Sequence, residues 1–371
     1  MKVGILTFPN STSYGATLQM YALYRTVKSL GHDTEVINYY SKFMKAEKHI
    51  HQGKSGKTLR ASLKRRAAKA IHFRLERAFR HFEKNNMTLY PKRPFVDKSR
   101  LSDVGKRYDA VICGSDQVWN PNITDADLSY FLDFCTESTR RISYAASFGI
   151  DTFSKEFGEM IRPSIVAFNA LSVREKVGGD YVMREFGLNA SIVCDPTMLL
   201  TADEWTGIEH KYPVSPNSYI LFYTIRKSER LMNYCRRLSK ETGLKIVVVG
   251  GNIFSNIKRR DEDIEYAADI SPEQWLYLVH NAACVVTNSF HGSAFSIIYH
   301  KNFYVELSSA TNSRLSNITN VLGLQSRVLD HKECEDLGDC NYSIADIELP
   351  KIRMESLAFL KNALQEDKNE G

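Results

Sequence analysis

The residues best suited to chemistry stand in short polar runs that directly follow apolar ones. In Cys284-Val285-Val286-Thr287-Asn288-Ser289-Phe290-His291-Gly292-Ser293 a strand-like run ends in a tight turn bearing an imidazole, and Gly292 opens an apolar helix over 294–299. An imidazole at a helix start, flanked by Ser289 and Ser293, is suited to holding an anion or transferring a proton. The apolar run at 110–113 leads into Gly114, Ser115, Asp116, Gln117, Val118, Trp119 and Asn120. A carboxylate, amides and an indole on one short loop suit a carbohydrate; the structural alternative is a capping Asp116 with Trp119 plugging a core. Arg174 ends the run at 171–173, where a guanidinium suits a carboxylate or phosphate bidentately. Its alternative is an intramolecular pair with Glu175 or Asp195. The run at 3–8 is followed by Asn10, Ser11, Thr12, Ser13, Tyr14, Gly15 and Ala16, with Gln19 in the first turns of a helix whose amides can face an anion.

Open parallel sheets place ligands beyond the carboxyl ends of their strands, so these runs imply such sheets. Short apolar stretches alternate with helix-length amphipathic ones, the pattern of an α/β chain. Strands are expected at 3–8, 34–38, 110–113, 142–146, 171–173 and 191–194, then at 219–223, 245–249, 284–287, 303–306 and 327–329. A helix over 14–30 ends at Gly31, a residue typical after a helix, and Ser271 caps a helix over 272–280. The expected division is an N-terminal domain over 1–196, a C-terminal domain over 197–349, and a helix over 352–365 returning toward the first domain. The tail beyond 365 is expected to fray.

Charge is unevenly spread. The 371 residues carry a formal net charge of +6, but residues 42–107 hold 20 Lys and Arg against 5 Asp and Glu, leaving 29 against 38 elsewhere. Within that segment Leu59, Leu63, Ala67, Ile71, Leu75, Phe79 and Phe82 recur at helical spacing, with Lys64, Arg65, Arg66, Lys69, Arg74, Arg77 and Arg80 on the other faces. The spacing predicts a basic amphipathic helix over 57–86, within an inserted segment of the first domain over about 42–107. Such a helix either packs its apolar face on the body or adheres to an anionic membrane surface. No nucleic-acid-binding motif accompanies the charge. Seven widely spaced cysteines form no C-x-x-C pair and no zinc pattern, and are read as reduced and mostly buried. The start of the chain reads as a strand rather than a secretory leader, and no window is apolar enough to span a membrane. A cytoplasmic protein is expected. With no G-x-G-x-x-G or P-loop pattern, neither a nicotinamide cofactor nor ATP hydrolysis is expected; no cofactor and no metal are called for.

Taken in order, the strand-end runs resemble the polysaccharide pyruvyl transferase family. The matching pieces are Tyr14-Gly15-Ala16-x-Leu18-Gln19-x-Tyr21-Ala22-Leu23, Gly114-Ser115-Asp116-Gln117-x-Trp119-Asn120 and Tyr144-Ala145-Ala146-Ser147-Phe148-Gly149. Ser172-Val173-Arg174-Glu175, Asp195-Pro196-Thr197 and Thr287-Asn288-Ser289-Phe290-His291-Gly292 complete the series. The resemblance implies two Rossmann-like domains facing across a cleft, as in GT-B enzymes. It implies transfer of the enolpyruvyl unit of phosphoenolpyruvate to a sugar, giving a pyruvate ketal and phosphate. His291 and Asp116 are then the catalytic candidates. Arg174, His291, Gly292, Ser289 and Arg314 are assigned to phosphoenolpyruvate, and Tyr14, Gly15, Gln19, Gln117, Trp119 and Asn120 to the acceptor.

Two positions depart from the family pattern. Ser13 stands where relatives often have Asn before Tyr-Gly. Ser289 stands where some relatives have an Arg, two residues before His-Gly, that acts on phosphoenolpyruvate. Arg314, Arg226 and Lys227 are the candidate replacements, Arg314 first. On this reading His291→Ala and Arg174→Ala abolish transfer and leave the fold intact. The rival readings are a GT-B glycosyltransferase using a nucleotide-sugar and a non-catalytic protein that binds glycan or membrane.

Overall fold

The computed structural model describes residues 1–41, 59–150, 152–250, 263–307, 312–329 and 338–365, with the side chains at 59–65 and 312–314 left undescribed. Strand β1 (Lys2–Leu6) leads through a polar loop to helix α1 (Tyr14–Ser29) and strand β2 (Asp33–Tyr39). Then come α2 (Leu59–Asn86), β3 (Leu89–Phe95), β4 (Ala110–Cys113), β5 (Arg140–Ser143), α3 (Lys155–Ile165), β6 (Ser172–Val173), α4 (Lys176–Phe186) and β7 (Ser191–Ile192). The second half runs β8 (Tyr219–Thr224), α5 (Glu229–Thr242), β9 (Lys245–Gly250), β10 (Ile264–Tyr266), α6 (Pro272–His280) and β11 (Cys284–Thr287). It continues with α7 (Phe290–Ile298), β12 (Asn302–Glu306), α8 (Asn312–Val321), β13 (Val328–Leu329) and α9 (Ala345–Ala363).

Local signals account for the helix ends. Ser13 caps α1 by accepting from the Ala16 amide, and the chain turns at Gly31 with φ +91°. Ser271 and Gln274 form a reciprocal capping box at α6, with Pro272 in its first turn. Gly243 closes α5 with φ +71°.

Both sheets are parallel and built around a reversal of strand order. The first runs β3-β2-β1-β4-β5, and the second β10-β9-β8-β11-β12-β13. The chain leaves the sheet to one side after β1 and after β8, then returns to the other side at β4 and at β11. Those reversals are where open α/β sheets leave a crevice beyond the strand ends. The strands flanking them are almost wholly buried, as parallel strands covered on both faces must be. Strands β6 and β7 form a separate pair, linked to β5 and the segment after it through isolated bridges at Ile142–Ala170 and Ala146–Val173.

Two strands were not foreseen. β3 lies inside the basic segment and reads Leu-Tyr-Pro-Lys-Arg-Pro-Phe, with Lys92, Arg93 and Pro94 exposed. It is an edge strand, the one place a sheet tolerates such residues. β10 spans three residues, too few to show a period. The final helix starts earlier than expected and contains Pro350.

Two compact units emerge. One comprises Met1–Lys54, Glu83–Leu199 and Pro350–Gly371; the other comprises Ser55–Phe82 and Leu200–Leu349. The basic helix, expected as an insertion in the first unit, is grouped through Phe82 with the second. The first core gathers around Trp119, Tyr130, Phe131, Phe148 and Tyr181. The second sheet packs Phe222, Leu231, Cys235, Val248 and Val286, with Trp205 and Trp275 set edge-on to Phe295. All six described cysteines are free, and four are buried; Cys334 lies outside the described residues.

Helix α9 completes the first unit from the far end of the chain. The Cys194 amide donates to Ser356 Oγ at 3.0 Å, Arg353 Nε to the Met198 carbonyl at 2.7 Å, and Arg140 Nε to the Ala363 carbonyl at 2.7 Å. Leu360 and Leu364 are buried beneath it. Ser356→Ala leaves a buried amide without its acceptor. The expected loss is about 1–3 kcal/mol, read as a lower midpoint in urea with an unchanged slope.

Candidate active site

The first unit's strand ends converge on one buried ion cluster. The Arg174 side chain, only 4% exposed, donates from Nε to Glu175 Oε1 at 3.0 Å and from Nη1 to Asp195 Oδ2 at 2.8 Å. Ser147 Oγ donates to Glu175 Oε1 at 2.7 Å, and Ser115 Oγ to Asp195 Oδ2 at 3.1 Å. Asp195 Oδ1 accepts the Thr197 amide at 3.0 Å and its hydroxyl at 2.8 Å. Burial works against the guanidinium, but the charges of Glu175, Asp195 and Asp116 outweigh it and hold the group above its ordinary value. The alternative weighed for Arg174 from the sequence, an intramolecular pair, is therefore realised twice over. The expectation that Arg174→Ala spares the fold is corrected: removing the cation strands two buried carboxylates.

Around this cluster the loops take up conformations that L-residues rarely adopt. Asn10, Asp116 and Ala145, following β1, β4 and β5, have φ of 61°, 74° and 53°. Backbone strain of this kind persists only where the surroundings impose it, and it gathers at functional sites. At Asn10 the amide donates to the buried Glu83 Oε1 at 3.0 Å and Nδ2 to Asn38 Oδ1 at 2.8 Å. At Asp116 the carbonyl accepts the amides of Val118 and Ser147, and Oδ1 accepts the Gln117 amide. Gly149 has φ +64°, and a Cβ there would sit 2.1 Å from Gln117 Oε1. Only glycine fits.

The residues assigned to the acceptor divide sharply. Asp116 and Gln117 are partly exposed, with Gln117 Oε1 accepting from Asn120 Nδ2 at 2.8 Å. Trp119 is fully buried, stacked on Phe131 at 5.1 Å, with Nε1 bonded to the Tyr130 carbonyl. It is a core residue here, because the loop turns inward after Gln117. Asn120 caps the short helix Pro121–Thr124. Gln19, also fully buried, donates to Thr7 Oγ1 at 2.9 Å, and Thr7 in turn to the Ser115 carbonyl at 3.0 Å. It braces β1 against β4 instead of presenting its amide. Tyr14 and Gly15 are buried in the first turn of α1.

In the second unit the site is built on the end of β11. Ser289 caps α7, its Oγ accepting the Gly292 amide at 3.3 Å, while its own amide donates to Thr287 Oγ1 at 3.0 Å. His291 is the second residue of the helix, 8% exposed and edge-on to Phe290 at 5.3 Å. A Cβ on Gly292 would lie 2.4 Å from Thr287 Oγ1, so glycine lets the helix start close over the strand end. Asn288, which the sequence reading passed over, holds the neighbouring strand exit. Its Oδ1 accepts the Ile225 amide at 3.0 Å and its Nδ2 donates to the Arg226 carbonyl at 2.9 Å. Arg226 is thereby fixed, exposed, at the edge of the same sheet that carries His291. Lys227 pairs with Glu229 at 2.8 Å. Arg314 lies in α8, its side chain outside the described residues. Among the described residues no group of three or more His, Cys, Asp or Glu side chains is arranged to hold a metal ion.

A family model described as polysaccharide pyruvyl transferase matches residues 14–306, which include the Arg174 cluster and the turn that bears His291. The chain belongs to the polysaccharide pyruvyl transferase family. A pyruvyl transferase is a transferase enzyme. No curated protein matches the chain. Among solved structures it is similar to Methanocaldococcus jannaschii UDP-GlcNAc 2-epimerase in complex with UDP-GlcNAc and UDP. The identity is 14%, the TM-score 0.51, and the match covers 95% of this chain and 94% of that one. It is also similar to the S. aureus MnaA–UDP structure, at 11% identity and TM-score 0.53, covering 98% and 91%. At such identities the likeness shows the fold, a GT-B-like pair of Rossmann-like α/β units. Among the described residues no helix is long and apolar enough to cross a membrane.

Two outcomes follow from this geometry. Arg174→Met should cost about 3–5 kcal/mol of stability, because it leaves Glu175 and Asp195 buried without their counter-ion; chemical denaturation measures it. Gly292→Ala should cost about 1–3 kcal/mol through overlap with Thr287. Thr287→Ala in the same chain should recover part of that loss.

Proposed function

We propose that this pyruvyl transferase moves the enolpyruvyl unit of phosphoenolpyruvate onto a sugar of a lipid-linked polysaccharide precursor, as in capsule or exopolysaccharide assembly. A lipid-linked acceptor would set the reaction at the cytoplasmic face of the membrane. The observation that carries the reading is His291, buried at the first amides of α7 within the span of the family match. Those amides, at the positive end of a helix, suit a phosphate. The exposed Arg226, tied to the same sheet edge by Asn288, suits a carboxylate. It stands in for the cation missing at Ser289, with Arg314 as the second candidate.

The chemistry needs one acid and one base. His291 protonates the methylene carbon of phosphoenolpyruvate, which makes the adjacent carbon electrophilic. A sugar hydroxyl, oriented and deprotonated by Asp116 with Gln117 beside it, forms a bond to that carbon. The C–O bond to phosphate breaks with its electron pair, and a second hydroxyl of the same sugar closes the ketal. Of the two hydroxyl protons, one balances the proton taken up by the new methyl group and the other leaves on phosphate. No oxidant, reductant or cofactor enters. Arg174 serves by holding Asp195, Glu175 and the loop of Asp116 in place, with its positive field beneath them.

Incubation with phosphoenolpyruvate and extracted lipid-linked glycans should release phosphate and add a ketal mass increment to the glycan. His291→Ala should lower that rate by about 10²–10⁴-fold while leaving the melting temperature within a few degrees; near-normal turnover would remove His291 from the chemistry. Release of a nucleoside diphosphate from a nucleotide-sugar, with phosphoenolpyruvate untouched, would replace the proposal with the glycosyltransferase reading that the same fold admits.

A further inference from the structure

Helix α2 turns out the face opposite to the one an inserting amphipathic helix would need. Phe79 and Phe82 are buried, and Ile71, Leu75 and Ala78 are partly covered, so the apolar stripe is used in packing. Arg74 is bonded to Asp269, which fixes the helix within its own unit. What remains outward is charge. Arg66, Lys69, Phe73, Arg77, Arg80 and Lys84 are all exposed. At ~100° per residue they fall within an arc of about 80°, in a row about 27 Å long. Neither acidic side chain of this stretch lies in that arc, since Glu76 is on the flank and Glu83 is buried against Asn10. Among the described residues, Arg66, Lys69, Arg77 and Lys84 have no ion pair. In the middle of the row stands Phe73, 59% exposed, a large apolar side chain among cations.

We infer that this face of α2 docks on an anionic lipid surface. Five cations in a straight row match a plane of negative headgroups, and Phe73 at its centre reaches the level between headgroup and acyl chain. The contact is electrostatic with a single apolar anchor, not the burial of a whole apolar stripe. Phe73 also decides against a nucleic acid: one ring on the outside of a regular helix offers neither a stacking platform nor a base-reading edge. The rest of the chain, with 29 basic against 38 acidic residues outside 42–107, would be repelled by the same surface, so docking would fix which side of the protein meets the lipid. The inference rests on α2 alone and holds whether or not the proposed chemistry is correct.

Sedimentation of the full chain with vesicles tests it. The protein should bind phosphatidylglycerol–phosphatidylcholine vesicles and not phosphatidylcholine alone, and added salt should release it. A Lys69→Glu, Arg77→Glu double variant should bind at least about ten-fold more weakly, with an unchanged melting curve because both side chains are exposed and unpaired. Independently, Phe73→Trp should shift its emission to the blue on adding anionic vesicles. Equal binding by the wild type and the double variant, or an emission unmoved by bound vesicles, would overturn the inference. So would a DNA duplex that binds as tightly as the vesicles and moves the emission as far.

Discussion

Arg174 is held by two carboxylates in a place almost closed to water, and the first unit's strand-end loops are arranged around that fact. A buried guanidinium needs its charge balanced and its donors satisfied. Glu175 supplies one side from the adjacent position, and Asp195 the other from 21 residues along the chain. Each carboxylate then needs further donors, which Ser147 and Ser115 provide from two other segments and Thr197 from Asp195's own. One electrostatic requirement thus fixes the loops after β4, β5, β6 and β7 with respect to one another. The left-handed backbone at Asp116 persists because its neighbours on both sides are already committed.

The second unit's strand end reaches a comparable precision through a glycine and the side chains of Ser289 and Asn288 rather than through an ion cluster. Its constraint is closeness: Gly292 lets α7 begin directly over Thr287, and Ser289 closes the turn with hydrogen bonds in both directions. Asn288 extends that order sideways to the exit of β8, so one side chain positions the backbone of its neighbour. Both devices stand at the point where the strand order reverses. There the adjacent strand ends diverge, and only side chains can bridge them.

Much of this was legible in the sequence, for identifiable reasons. Short runs of β-branched and aromatic residues such as Cys284–Thr287 and Tyr219–Thr224 read as buried strands, and Ser271 and Gly31 stand at helix ends where their chemistry puts them. The polar runs do stand at strand ends, after β1, β4 and β11. What failed is what sequence leaves undetermined in principle. Trp119 is equally suited to a sugar or to a core, and only the path of the chain after Gln117 decides. Arg174 could have met a ligand or a carboxylate, and the fold alone brings Asp195 beside it. Gln19 reads as a presented amide until β4 closes over it. β3 was hidden because edge strands are allowed prolines and cations, and the helical period of α2 could not say which face is covered.

Helix α9 ties the order of synthesis to the order of folding. Residues 200–349 of the second unit are contiguous, whereas the first unit draws on Met1–Lys54, Glu83–Leu199 and Pro350–Gly371. As the chain leaves the ribosome, the first unit has its sheet and its buried ion cluster long before Ser356, Leu360 and Leu364 exist to cover the Cys194 amide and the apolar surface beside it. The part made first is the part finished last. Until then its uncovered flank is the surface on which a chaperone would find this chain.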